Sequence, residues 1–300
     1  MSAAPLVEQI QLGQLPVWRI RVGQAEALVA CQGAHVLRYG FDGEPDIVWG
    51  NPEAVFEPGT PIRGGIPVCW PWFGDLLKNP AEVQAMCTTT ADAPAHGLAR
   101  QVAWQAGGVE VDTDRVRLDF HHRTSAETTP GWPHTTELTL SLSVGERLEL
   151  TLSVRNLEDH PLVLSQALHT YFAVSDVREV GIEGLANADY YDCLDGWTRK
   201  RQNGEPTITG ETDRVYVGLP ARLAIRDAQW QRRLFIETRN SYSAVLWNPW
   251  IDKAARLSQF ADDAWPGMLC IETARVMDDV LTVAPGATAE MAVSLWREAL

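Results

Sequence analysis

Apolar and polar residues alternate along much of this chain. In "RVRLDFHH" (115–122), Val116, Leu118 and Phe120 fall on one face, and in "TELTLSLSV" (136–144) so do Leu138, Leu140, Leu142 and Val144. A tight turn at Gly145-Glu146 follows, then "RLELTLSVRN" (147–156) with Leu148, Leu150, Leu152 and Val154 in step. This pattern predicts a β-hairpin with one buried face. Further strands are predicted at 161–174, 233–237, 243–248, 268–275 and 289–298, while helical periodicity is confined to short stretches such as 76–86. Pro and Gly punctuate often, and neither a Ser/Gly linker nor a fixed-period repeat divides the sequence. The expectation is an all-β protein with few short helices, a large antiparallel β-sandwich occupying 1–300 as a single domain.

Composition narrows the function classes. The 300 residues are 45% apolar and 21% charged, enough to bury a large core, and the net charge is −14. Such a balance argues against nucleic acid and anionic membranes as partners. A small phosphorylated ligand stays compatible if a few arginines make a local positive spot. The five cysteines, Cys31, Cys69, Cys87, Cys193 and Cys270, are scattered and form no CxxC pair, which predicts reduced thiols and neither a metal site nor a disulfide framework. The opening "MSAAPLVEQIQLGQLPVW" lacks a basic n-region and an apolar h-region, and no apolar run approaches ~20 residues. A cytoplasmic monomer is expected.

Four stretches depart from plain strand patterning. "PIRGGIPVCWPWFG" (61–74) sets Arg63 beside two glycines that let the backbone approach a ligand; a tight β corner with a solvated arginine would read the same way. "PAHGLARQVAW" (94–104) places His96 and Arg100 around Gly97, as a loop histidine and a surface arginine would also be. In "QALHTYFAV" (166–174), His169 interrupts an apolar run, where an unpaired buried imidazole would cost about 1–3 kcal/mol. In "WPGMLCIETARV" (265–276), Glu272 is either an outward, solvated carboxylate or a partnered buried one. Twelve tryptophans are many, and Trp70, Trp72, Trp247, Trp250 and Trp265 cluster in these stretches, as floors for a sugar or as core fillers.

In this order, "IRGGIPVCWPWFG", "HGLAR", "ALHTYF", "TDRVY", "WNPW" and "MLCIETARV" resemble the hexose-6-phosphate mutarotases, the glucose-6-phosphate 1-epimerase branch of the aldose 1-epimerase superfamily. The motifs extend from about residue 56 to 276. The resemblance implies a galactose-mutarotase-like β-sandwich that interconverts the α and β anomers of a hexose 6-phosphate without metal or cofactor. It implies His169 as general acid, Glu272 as general base, Arg63 and Arg100 as substrate-binding residues and candidates for the phosphate, and Asp213 as a ligand of sugar hydroxyls. His96 corresponds to a sugar-oxygen ligand of the wider superfamily. Ala95 departs from relatives that carry a polar side chain there.

The residue types suit the reaction. Anomerisation takes a proton from the C1 hydroxyl and gives one to the ring oxygen, and near pH 7 a carboxylate accepts while part of an imidazole population donates. The acid and base are expected to face each other across a gap the width of a sugar, the carboxylate raising the imidazole pKa. Guanidinium forks match phosphate oxygens and, at the far end of the sugar from C1, would orient the ring. Three other readings compete: a non-catalytic carbohydrate-binding module, an epimerase of unphosphorylated aldoses, and a retaining glycosidase using Asp213 with Glu272 as its close carboxylate pair.

Overall fold

The computed structural model describes residues 4–88 and 92–300. Two eight-stranded antiparallel sheets dominate. The first runs, in spatial order, through strands Thr198–Arg201, Asp189–Asp192, Thr212–Val217, Ser243–Asn248, Met268–Arg275, Gln166–Leu168 and Val68–Cys69, with Tyr171–Ala173 also pairing to Met268–Arg275. The second runs Gly181–Glu183, Arg222–Asp227, Arg232–Arg239, Thr288–Ala299, Leu148–Asn156, Thr136–Val144, Val116–Arg123 and Gln105–Val111. A four-stranded meander, Leu6–Leu12, Leu15–Val22, Ala25–Ala30 and His35–Phe41, packs on strand Thr136–Val144. Tyr39 Oη donates to the Gly145 carbonyl at 2.7 Å and ties the meander to the hairpin loop.

The predicted hairpin forms, Thr136 opposite Asn156 and Val144 opposite Leu148, with a three-residue connection, Gly145 to Arg147, in place of the two-residue turn expected at Gly145-Glu146, and burial alternates residue by residue along Thr136–Val144. Its buried side chains Leu140 and Leu150 join Leu118 and Ile236 in the main core, together with Leu168, Phe172, Leu246, Leu269 and Ile271 of the first sheet. Non-directional burial of apolar area holds the two sheets face to face. The helical segment at 76–86 appears as a 3₁₀ turn, Leu76–Lys78, and one α turn, Ala81–Gln84. Among the described residues no helix is long and apolar enough to cross a membrane.

One expected strand is broken. The stretch 161–174 divides into Leu162–Leu164, Gln166–Leu168 and Tyr171–Ala173. Thr170 N–H bonds the Leu168 carbonyl at 2.9 Å, closing a three-residue turn centred on His169. The backbone on either side stays anchored: His169 N–H donates to Pro67 O at 3.0 Å and Tyr171 N–H to Gly65 O at 2.9 Å.

Candidate active site

Register alone brings the central pair together. Leu168 pairs with Thr273 and Tyr171 with Cys270, so the residues between them, His169 and Glu272, lie opposite each other. Across the next strands Val245 pairs with Glu272, Trp247 with Cys270, and Asp213 with Trp247. Directly paired residues of an antiparallel ladder share a face. His169, Tyr171, Asp213, Val245, Trp247 and Glu272 therefore floor one cleft of about 340 Å³, a volume suited to a small ligand.

Three loops wall it. Gly97 (φ +76°) lies so close to the Trp70 carbonyl that a Cβ there would sit 2.1 Å from the oxygen, and Leu98 N–H bonds that same carbonyl at 2.7 Å. This contact docks the His96–Arg100 segment on the Trp70 segment. On the other wall, Arg63 Nε donates to Ser258 O at 2.9 Å, and Gly65 (φ +68°) passes so near Val36 that a Cβ would meet its carbonyl at 2.2 Å. The third wall carries Cys193 and Trp197 from the connection between Asp189–Asp192 and Thr198–Arg201, with Lys253 from the helix Trp250–Ala254.

His169 and Glu272 are 7% and 1% exposed, and His169 Nε2 stands 3.4 Å from Glu272 Oε1. The sugar-wide gap expected from the sequence is thus replaced by near contact. Chemistry permits this, because the anomeric hydroxyl and the ring oxygen are bonded to the same carbon. The outward, solvated alternative for Glu272 is also overturned. Among the described residues His169 Nδ1 and Glu272 Oε2 have no hydrogen-bond partner, and the imidazole is held instead by a parallel stack on Tyr171 (4.8 Å, 9°).

Electrostatics separate the two groups further. Burial, with Asp213 nearby, drives the Glu272 carboxyl well above the ordinary carboxylate range. Burial, with His96 and Arg100 nearby, drives His169 well below 6.5. The expected rise from the neighbouring carboxylate does not occur, because desolvation and the positive surroundings outweigh it. Each group is pushed toward its neutral form, and between the two depressed and raised values the pair shares a single proton.

His96 accepts a hydrogen bond at Nδ1 from Gly74 N–H at 3.3 Å, which assigns the ring proton to Nε2. Burial, Arg100 and Arg63 lower its pKa to about 3, so near pH 7 it is a neutral donor. Arg100 Nη2 donates to the Ala95 carbonyl at 2.7 Å, and its buried Nε has no partner. Among the described residues neither Arg63 nor Arg100 lies within 4.0 Å of a carboxylate. Asp213 reaches the cleft beside Lys253, whose Nζ is 3.9 Å away. All six residues singled out in the sequence thus line the same cleft. The sequence reading missed Tyr171, Trp197 and Lys253. Tyr171 lay inside the "LHTYF" motif, two positions from His169 and hence on its face, while nothing local marked the other two. Among the described residues no group of three His, Cys, Asp or Glu is arranged to hold a metal ion.

Residues 16–296 match the aldose 1-epimerase family. The chain is 33% identical over 280 residues to a candidate glucose-6-phosphate 1-epimerase of Escherichia coli, covering 91% of this chain and 90% of that one. It is 31% identical over 269 residues to a protein of the same description from Cenchrus ciliaris, covering 85% and 76%. The crystal structure of a candidate mutarotase from Salmonella typhimurium superposes with a TM-score of 0.88 at 27% identity, covering 98% and 94%.

Proposed function

The chain belongs to the aldose 1-epimerase family, and from that premise we propose that it interconverts the anomers of a hexose 6-phosphate, with His169 and Glu272 as its acid–base pair. The observation that carries the reading is that pair: an imidazole and a carboxyl group 3.4 Å apart on one sheet face, each with an unpartnered polar atom at the floor of a sugar-sized cleft.

The pair's single proton rests on Glu272 and passes to His169 across their 3.4 Å contact. In the forward direction the ionised Glu272 then takes the proton of the C1 hydroxyl while His169 gives its own to the ring oxygen. The C1–O5 bond breaks and C1 becomes an aldehyde. Rotation about C1–C2 presents the other carbonyl face, the hydroxyl at C5 adds back, and the two groups return their protons in reverse. One proton on the pair suffices for a cycle, and no net proton is consumed. Positioned transfer of this kind typically contributes about 10²–10⁴-fold. His96 donates through Nε2–H to a sugar oxygen, and Asp213 accepts from sugar hydroxyls.

Arg63 and Arg100 hold the phosphate. Both are pinned by backbone carbonyls yet, among the described residues, have no carboxylate partner, in a protein of net charge −14. A dianion is the natural counterpart of two such forks. This favours a phosphorylated sugar over a free aldose. We read the chain as a single domain, since the family match spans 16–296 and one core cluster draws on both large sheets. We read it also as a monomer in the cytoplasm; the five free thiols support a reducing compartment. The test is magnetisation-transfer NMR of α/β exchange with glucose 6-phosphate and glucose at equal concentration. Acceleration on the phosphorylated sugar is expected, and equal rates with and without enzyme on both sugars would refute the proposal.

A further inference from the structure

Lys253 lines the cleft, yet no step above uses it. Its place is built, beginning with Asn248 at the end of strand Ser243–Asn248. The fully buried Asn248 amide donates to the carbonyls of Trp265 and Met268, both at 2.9 Å, and its Oδ1 accepts from Trp250 N–H at 2.9 Å. Those bonds fix the start of the helix Trp250–Ala254. One turn on, Lys253 Nζ lies over the Trp247 ring, 5.9 Å from its centroid. The ammonium then meets Glu211 at 3.1 Å and Asp213 at 3.9 Å, two carboxylates on the same face of strand Thr212–Val217 and its approach.

We propose that Lys253 is a positioning residue that keeps Asp213 ionised, so that Asp213 accepts hydrogen bonds from sugar hydroxyls. This rests on the mutarotase reading of the cleft.

The surroundings of Asp213 otherwise favour its protonation. Burial raises its pKa, Glu211 just before its strand and Asp192 from the neighbouring strand add to that rise, and Glu272 faces it across the sheet. Cys193 stands beside it as a thiol donor, and Lys200 is engaged by Asp192 and Asp195 at 2.8 and 2.7 Å. Arg63 and Arg100 belong to the two walls that flank His169. Among the described residues Lys253 is the sole cation within 4.0 Å of Asp213. A neutral carboxyl would still touch the sugar, but bonds to an ionised partner are roughly twice as strong as neutral ones.

The test compares Lys253→Met, Lys253→Arg, Asp213→Asn and the double variant Lys253→Met/Asp213→Asn. In Lys253→Met the Asp213 carboxyl, followed by carbon-13 NMR, should titrate at higher pH than in the wild type. KM should rise about tenfold at the acid end of the range, by the same factor for glucose 6-phosphate as for glucose wherever both turn over, with kcat unchanged. Lys253→Arg should restore both, and Lys253→Met should add nothing to Asp213→Asn. An unmoved Asp213 titration overturns the proposal. So does a KM rise confined to the phosphorylated sugar, which would make Lys253 a phosphate ligand. The titration needs no turnover, so it is decided apart from the mutarotase reading, which the wild-type exchange rate decides.

Discussion

Replacing Glu272 by Gln separates what the carboxylate does for the reaction from what it does to the fold. The side chain is 1% exposed, its Oε2 is unpartnered, and burial raises its pKa above the unfolded value near 4.5. Because the folded protein holds this proton more tightly than the unfolded chain, the associated stability is complete below pH 4.5 and is lost as pH rises toward the folded pKa. The slope is about 1.4 kcal/mol per pH unit across that window. His169 acts with the opposite sign: its lowered pKa makes the fold lose stability as pH falls below 6.5. Where both groups lie between their unfolded and folded pKa values the two slopes oppose each other. Gln is uncharged at every pH, so the variant should gain on the wild type by about 1.4 kcal/mol per unit until the folded pKa is passed. Urea unfolding at pH 5, 6, 7 and 8 measures this. Anomer exchange should meanwhile fall by about 10²–10⁴-fold. Retained turnover, or a stability difference independent of pH, would refute the reasoning.

Other perturbations probe the remaining parts. Arg63→Ala or Arg100→Ala should raise KM for glucose 6-phosphate by about 10–100-fold, the worth of a charge-assisted bond, while changing KM for glucose by less than about threefold; equal losses on both sugars, in steady-state exchange assays, would remove that arginine from the phosphate. The pH profile of kcat/KM should be bell-shaped around the one-proton state of the pair. Activity should be lost on the acid side below 6.5, where His169 gains a second proton for the pair, and on the alkaline side where Glu272, raised above 4.5, releases the last one. An acid limb at or above 6.5 would contradict it. Gly97→Ala, at φ +76° with a Cβ 2.1 Å from the Trp70 carbonyl, should destabilise the protein by about 2–4 kcal/mol in urea titrations.

The β-sandwich was readable because most of its strands have one buried face. Leu138 to Val144 and Leu148 to Val154 write the period of two directly, and their register follows from the short loop between them. The first meander was less legible: Leu6–Leu12 is half exposed on both faces, so no alternation marks it. The site residues were readable as chemical types in an order of motifs, but their mutual geometry was not. The distance between His169 and Glu272 depends on a ladder joining residues a hundred positions apart and on a turn at His169 that apolar patterning hides. The direction of the His169 pKa shift escaped for the same reason, since burial and the His96 and Arg100 neighbours exist only in the folded chain. Lys253 carries no local signal; it reaches the cleft because Asn248 sets the start of its helix.

The structure of this protein with glucose 6-phosphate bound tests the account most directly. The ring oxygen should lie within hydrogen-bond reach of His169 Nε2, the anomeric hydroxyl against Glu272, and the phosphate between Arg63 and Arg100. A sugar whose C1 points away from that pair, or whose phosphate rests elsewhere, would contradict it.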